Sequence, residues 1–213
     1  YTVGALNDMK RIHENTVHLI QEIDELWEPV YPFLAKHIVE LYGRKDGVIL
    51  EIGPFCGSIY SLLLQGVGSQ FVMAAFPPEM VSFFGKQIHE KGHGEKICVV
   101  ETDQSLSGIK RDSIDLIVFR GALFFPSLFQ VEYGAINRVI KKGGIAMIGG
   151  GFGKLTPPEI IRPIAEQSKE LNLKIGKVEV AADQIREDIK ASGILTDFWI
   201  VLDGGLWVIL NKG

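Results

Sequence analysis

Val48-Ile49-Leu50-Glu51-Ile52-Gly53-Pro54-Phe55-Cys56-Gly57-Ser58 joins an apolar strand bearing an acid near its end to a glycine-bearing turn, and Ser58-Ile59-Tyr60-Ser61-Leu62-Leu63-Leu64 then reads as the start of a helix. In a parallel α/β sheet such a junction is where a nucleotide-like ligand lies, because ligands bind beyond the carboxyl ends of strands and glycines admit close backbone approach. Phe55 stands where loops of this kind usually carry another glycine.

Upstream of this stretch, apolar residues at helical spacing (Ile12, Val17, Ile20, Ile23, Leu26) predict an amphipathic helix from Asn7 to about Trp27. Glu28-Pro29-Val30-Tyr31-Pro32 interrupts it, and a second helix is expected from Phe33 to Tyr42, ending at Gly43. Residues 1–45 thus read as a helical cap and 46–213 as an α/β core within a single domain.

Downstream, short Val- and Ile-rich runs alternate with helical segments. The expected order is strand Gln70–Ala75, helix Glu79–Lys91, strand Lys96–Val100, strand Ser113–Phe119, helix Val131–Lys141 and strand Gly144–Gly149. That pattern predicts a doubly wound, mostly parallel sheet covered on both faces. A helix from Thr156 to Leu171, a strand-like Leu173–Val180 and a helix near Asp183–Ala191 follow. Phe198–Leu202 and Leu206–Leu210 flank Asp203-Gly204-Gly205, which predicts a closing antiparallel hairpin.

With 213 residues, 46% hydrophobic and 23% charged, the chain can bury one substantial core. A formal net charge of −4, with basic residues scattered among acids, argues against nucleic acid and anionic membrane as partners. No apolar run approaches the ~18 residues of a membrane span, and Cys56 and Cys98 form no paired metal spacing, so a reducing, cytoplasmic setting is expected. A start at Tyr1 rather than Met suggests a preceding segment.

Carried on Val48–Gly57, on Val99-Val100-Glu101-Thr102-Asp103, on Ile114–Gly121 and on Asn137–Gly144, the sequence from about Tyr31 to Lys212 resembles the class I S-adenosylmethionine-dependent methyltransferases. It is most similar in kind to the ubiquinone and menaquinone C-methyltransferases. The resemblance implies a Rossmann-like fold and S-adenosylmethionine as cofactor. It implies that Glu51, Gly53, Pro54, Phe55, Cys56 and Gly57 surround the donor's amino-acid end. By the same resemblance Ala75 and Phe76 lie at its ribose, Asp103 accepts from the adenine amino group beside Thr102 and Gln104, and Phe119 and Arg120 line the floor. No catalytic base is implied, since a sulfonium is already a good leaving group and positioning supplies much of the rate.

Two positions depart from the family pattern. Ala75 stands where an acid would grip the ribose hydroxyls, and Phe55 replaces a turn glycine. A non-catalytic binding protein on the same scaffold is therefore the alternative, while a nicotinamide-dependent oxidoreductase lacks its G-x-G-x-x-G loop. Tyr31, Phe124, Phe125 and Gly151 are candidate substrate contacts, with plain core packing as the competing reading for the aromatics. The run Gly149–Lys154 lacks phosphate-loop spacing and reads as a mobile wall on the substrate side. Arg120 meets either an anionic ligand group or a buried acid. Cys56 reads as an inert small apolar residue, and the His89-Glu90-Lys91-Gly92-His93 match to a zinc motif reads as accidental, since its glycines suit a helix end. The first helix offers a packed lid or a homodimer face.

Overall fold

In the computed structural model, which describes residues 3–76 and 78–213 and the side chains among them from residue 15 onward, strand β1 (Val48–Ile52) lies at the middle of the sheet with its last four residues fully buried. It pairs in parallel with β2 (Gln70–Ala75) on one side and β4 (Ile114–Arg120) on the other. A strand covered on both faces has no solvent side to fill with polar residues, which is why its sequence does not alternate. β3 (Ile97–Glu101) extends the parallel sheet beyond β2, and β5 (Ile140–Gly150) extends it beyond β4. β7 (Leu206–Lys212) runs antiparallel to β5 and to the edge strand β6 (Asp197–Val201), giving the order β3-β2-β1-β4-β5-β7-β6. Strand order reverses between β1 and β4, and a crevice opens beyond the carboxyl ends at such a switch point.

Seven helices cover the described sheet: α1 (Val3–Leu26), α2 (Tyr31–Tyr42), α3 (Ser58–Leu64), α4 (Met80–Glu90), α5 (Tyr133–Val139), α6 (Pro158–Ile175) and α7 (Ala182–Ala191). Ile20 and Ile23 of α1 are buried as the spacing predicts; the side chain of Ile12 lies outside the described residues. The proline-bearing link is a single 3-10 turn, Glu28–Val30, and both Pro29 and Pro32 sit in the first two positions of their helical segments. A missing N–H costs nothing there, so the prolines redirect the chain without unwinding it. Among the described residues, no helix is long and apolar enough to cross a membrane.

Two expectations fail. The helix expected through Lys141 ends at Val139, because Ile140 pairs with Ile114 and joins an eleven-residue β5. The strand expected over Leu173–Val180 is instead the end of α6. Ile164, Ser168 and Ile175 form the buried stripe of that helix, leaving Leu173 65% exposed, and the chain turns at Gly176, whose N–H returns to Leu173 O at 3.0 Å.

Candidate cofactor and substrate cleft

Glu51 organises the turn after β1. Helix α3 begins without a side-chain cap from its own N-cap residue, so its first N–H groups need acceptors. Glu51 Oε1 accepts from Ser58 N at 3.2 Å and from the Ser58 hydroxyl, and Oε2 accepts from Ile59 N at 2.9 Å. A carboxylate reaching back from the strand thus satisfies the helix start. Glu51 is completely buried, and that burial pushes its carboxyl up to about 7 against the pull of the bonds from Ser58 and Ile59.

A carboxyl whose folded pKa exceeds its ordinary value of 4.5 binds its proton more tightly in the native state. Its contribution is fully present below about pH 4.5 and declines as pH rises to about 7, a loss on the order of 3 kcal/mol. Urea unfolding at pH 5 and pH 8 should therefore show the unaltered protein losing more stability across this window than Glu51→Gln. A stability difference between the two that does not change with pH would refute this.

The rest of the turn is filled by rings. The Gly57 position faces the Tyr31 ring so closely that a Cβ there would lie 2.0 Å from Tyr31 Cε2. Phe55 is 1% exposed and packs on Phe125 with centroids 5.2 Å apart, and a Cβ on Gly121 would lie 2.7 Å from Phe55 Cδ2. Glycine is required at 57 and 121 because aromatic rings occupy the space a side chain would need. Pro54 and Cys56 are buried; the Cys56 thiol donates to Gly53 O at 3.1 Å, and burial pushes it well above the ordinary thiol range. It is an inert thiol on both counts.

Ala75 is buried at the end of β2, and its carbonyl accepts from Thr102 N at 3.1 Å. Asp103 is exposed with its oxygens engaged by its own loop: Oδ1 accepts from Ser105 Oγ at 2.7 Å and Ser107 N at 3.2 Å, and Oδ2 from Ser107 Oγ at 2.9 Å. These bonds, Ser105 foremost, hold its carboxyl down at about 2. The cleft that brings Asp103 and Gln104 together with Ile52, Phe76 and Phe119 has a volume of only about 10 Å³.

Arg120, at the end of β4, is 4% exposed. Its Nη2 donates to Asp24 Oδ1 at 3.2 Å and to the Tyr31 hydroxyl, and Tyr31 in turn donates to Asp24. Its guanidinium carbon lies 4.9 Å from the Trp27 ring centroid, 5.0 Å from that of Tyr31 and 5.2 Å from that of Phe55. The buried acid weighed from sequence as one partner of Arg120 is Asp24. Asp24 and Trp27 were missed, although an acid on the apolar face marked by Ile20 and Ile23 was the available signal.

Beyond β4 and β5 a cavity of about 330 Å³ is lined by Trp27, Phe55, Arg120, Phe124, Phe125 and Phe152, with Gly151 at its edge. Trp27 and Phe152 stack with centroids 4.5 Å apart and planes 10° from parallel. The glycine run is tied to the hairpin turn, Gly153 N donating to Gly204 O at 2.7 Å. Tyr31 lies instead on an open groove of about 980 Å³ between α1, α3 and α4, alongside Gly57, Tyr60 and His93. There the His93 ring stacks on Tyr60, centroids 5.9 Å apart, and Lys91 pairs with Glu28 at 2.8 Å.

The architecture matches that of a candidate S-adenosyl-L-methionine-dependent methyltransferase from Methanococcus maripaludis, with a TM-score of 0.74 and 27% identity over 91% of each chain. The chain carries the class I S-adenosylmethionine-dependent methyltransferase fold. More distant likenesses agree on that methyltransferase architecture. An S-adenosylmethionine-dependent methyltransferase from Aquifex aeolicus has a TM-score of 0.60 and 16% identity over 90% of this chain and 96% of its own. The geranyl diphosphate C-methyltransferase of Streptomyces coelicolor has 0.55 and 11% over 84% and 78%. No family model matches the sequence, and neither does any curated protein.

Proposed function

We propose that the chain transfers a methyl group from S-adenosylmethionine to a small molecule seated in the Trp27–Phe152 cavity. The observation that carries this reading is the match in fold and sequence to the Methanococcus protein over 91% of both chains. The capped turn at the switch point and the cavity beyond β4 and β5 support it, since they place a donor-side turn next to an apolar compartment. The Streptomyces enzyme, in its complex, holds S-adenosyl-L-homocysteine together with geranyl diphosphate.

As its rings stand, the cleft does not fit an adenosyl group. About 10 Å³ is left between Phe76, Phe119 and Asp103, Tyr31 covers Gly57, and Ala75 offers no acceptor to ribose hydroxyls. Donor entry therefore requires Tyr31 and the rings lining the cleft to move. When bound, the donor supplies an electrophilic methyl; the share left to this chain is holding the acceptor and excluding water.

Calorimetric titration with S-adenosylmethionine and S-adenosylhomocysteine tests the reading. Micromolar binding that Asp103→Ala weakens about tenfold, the loss of a hydrogen bond to a charged acceptor, is the expected result. No heat at millimolar cofactor would refute it and leave a binding scaffold with this fold.

A further inference from the structure

Resting on the site assigned above, we infer that the Trp27–Phe152 cavity selects a flat aromatic monocarboxylate. Its walls are aromatic, and Trp27 and Phe152 stack on each other with planes 10° from parallel. At about 330 Å³ it lies near the lower end of small-molecule sites, which suits a compact ring system.

Two buried donors in these walls lack acceptors. Arg120 Nε and Trp27 Nε1 are buried without a hydrogen-bond partner, and both residues line the cavity. The third such donor among the described residues, Trp207 Nε1, belongs to a residue outside that lining. Arg120 engages Asp24 and Tyr31 through Nη2 alone. Buried donors left unpaired carry a desolvation cost that an acceptor oxygen removes.

Charge then sets the acceptor's kind. Arg120, with Lys169 and Lys177 at the exposed mouth, faces Glu179 among the lining residues, and Asp24 pairs with Arg120 from outside the cavity wall, so three cations against two acids leave a single net positive charge. A single negative charge complements this balance. A dianion exceeds it, because Asp24 already faces part of the one interior cation. Lys177 Nζ lies 5.5 Å from the Phe124 ring centroid, so an aromatic wall and a cation meet at the entrance. A ring seated against the aromatic walls would therefore carry its carboxylate toward Arg120 and Trp27.

The test uses the unaltered protein without donor, titrated with 2-naphthoate and with the neutral, near-isosteric 2-naphthamide. Naphthoate should bind about tenfold or more tightly than the amide, the difference expected of a charged over a neutral acceptor. Trp27→Phe keeps an aromatic ring at this position but removes the indole donor, and it should weaken naphthoate about three- to tenfold. Equal or tighter binding of the amide, no naphthoate binding at millimolar concentration, or naphthoate affinity unchanged in Trp27→Phe would each overturn the inference. Because no donor is present, failure here leaves the cofactor titration untouched, and failure of that titration leaves this comparison standing.

Discussion

Arg120→Met should lower the free energy of unfolding by about 3–5 kcal/mol, the cost of leaving one member of a buried ion pair without its partner. The Asp24 and Arg120 side chains are 4% and 5% exposed and meet at 3.2 Å. Removing the guanidinium leaves a carboxyl whose burial already raises its pKa, with the Tyr31 and Gln87 side chains as hydrogen-bond partners and Lys91 as the remaining nearby cation. Asp24→Leu alone should cost a similar amount, because it strands the guanidinium among Trp27, Tyr31 and Phe55. The double variant Asp24→Leu/Arg120→Met should recover to within about 1–2 kcal/mol of the unaltered protein, since apolar replacement of both partners removes the desolvation penalty. Urea unfolding of the four proteins measures the cycle. A double variant whose loss equals the sum of the single losses would show that the two residues do not act as a pair.

That pair also ties α1 to β4 across 96 residues of sequence. In either single variant, amide exchange along α1 should accelerate before that of the central sheet, because the cap loses a specific tether while β1 and β4 keep their ladders.

Phe55→Ala should cost about 3–5 kcal/mol, the range for deleting a fully buried phenylalanine ring. Its ring packs on Phe125, Arg120 and the face of Gly121, so its removal leaves a void rather than a solvated notch. The same change enlarges the Trp27–Phe152 cavity, which Phe55 lines, beside the turn proposed for the donor. If the ring obstructs the donor, S-adenosylhomocysteine should bind at least about tenfold more tightly in Phe55→Ala despite the lower stability, a gain of about 1.4 kcal/mol. Unchanged cofactor affinity alongside the full stability loss would assign Phe55 to core packing alone.

Much of this architecture was legible before any coordinates. The bounds of β1 and β2 coincide with the apolar runs Val48–Ile52 and Gln70–Ala75, and the hairpin around Asp203-Gly204-Gly205 pairs β6 with β7 as expected. Those signals are local: chain direction, turn chemistry and periodicity lie within a few residues of each other. The end of α5 was misplaced because Ile140 answers to Ile114 on another strand. Leu173–Val180 was misassigned because its alternation mimicked a strand while the stripe of Ile164, Ser168 and Ile175 ran on at helical spacing.

The candidate site divides along the same line. The strand-turn-helix at Glu51–Ser58 and the departures at Phe55 and Ala75 are properties of the sequence itself, because backbone geometry there follows from residues adjacent in the chain. What the cleft holds was decided by tertiary structure. Tyr31 over Gly57, Asp24 on Arg120, and Trp27 on Phe152 bring together helix, strand and loop residues far apart in sequence. Aromatic packing and buried charge pairing depend on distance in space, and no spacing along the chain encodes which rings will meet.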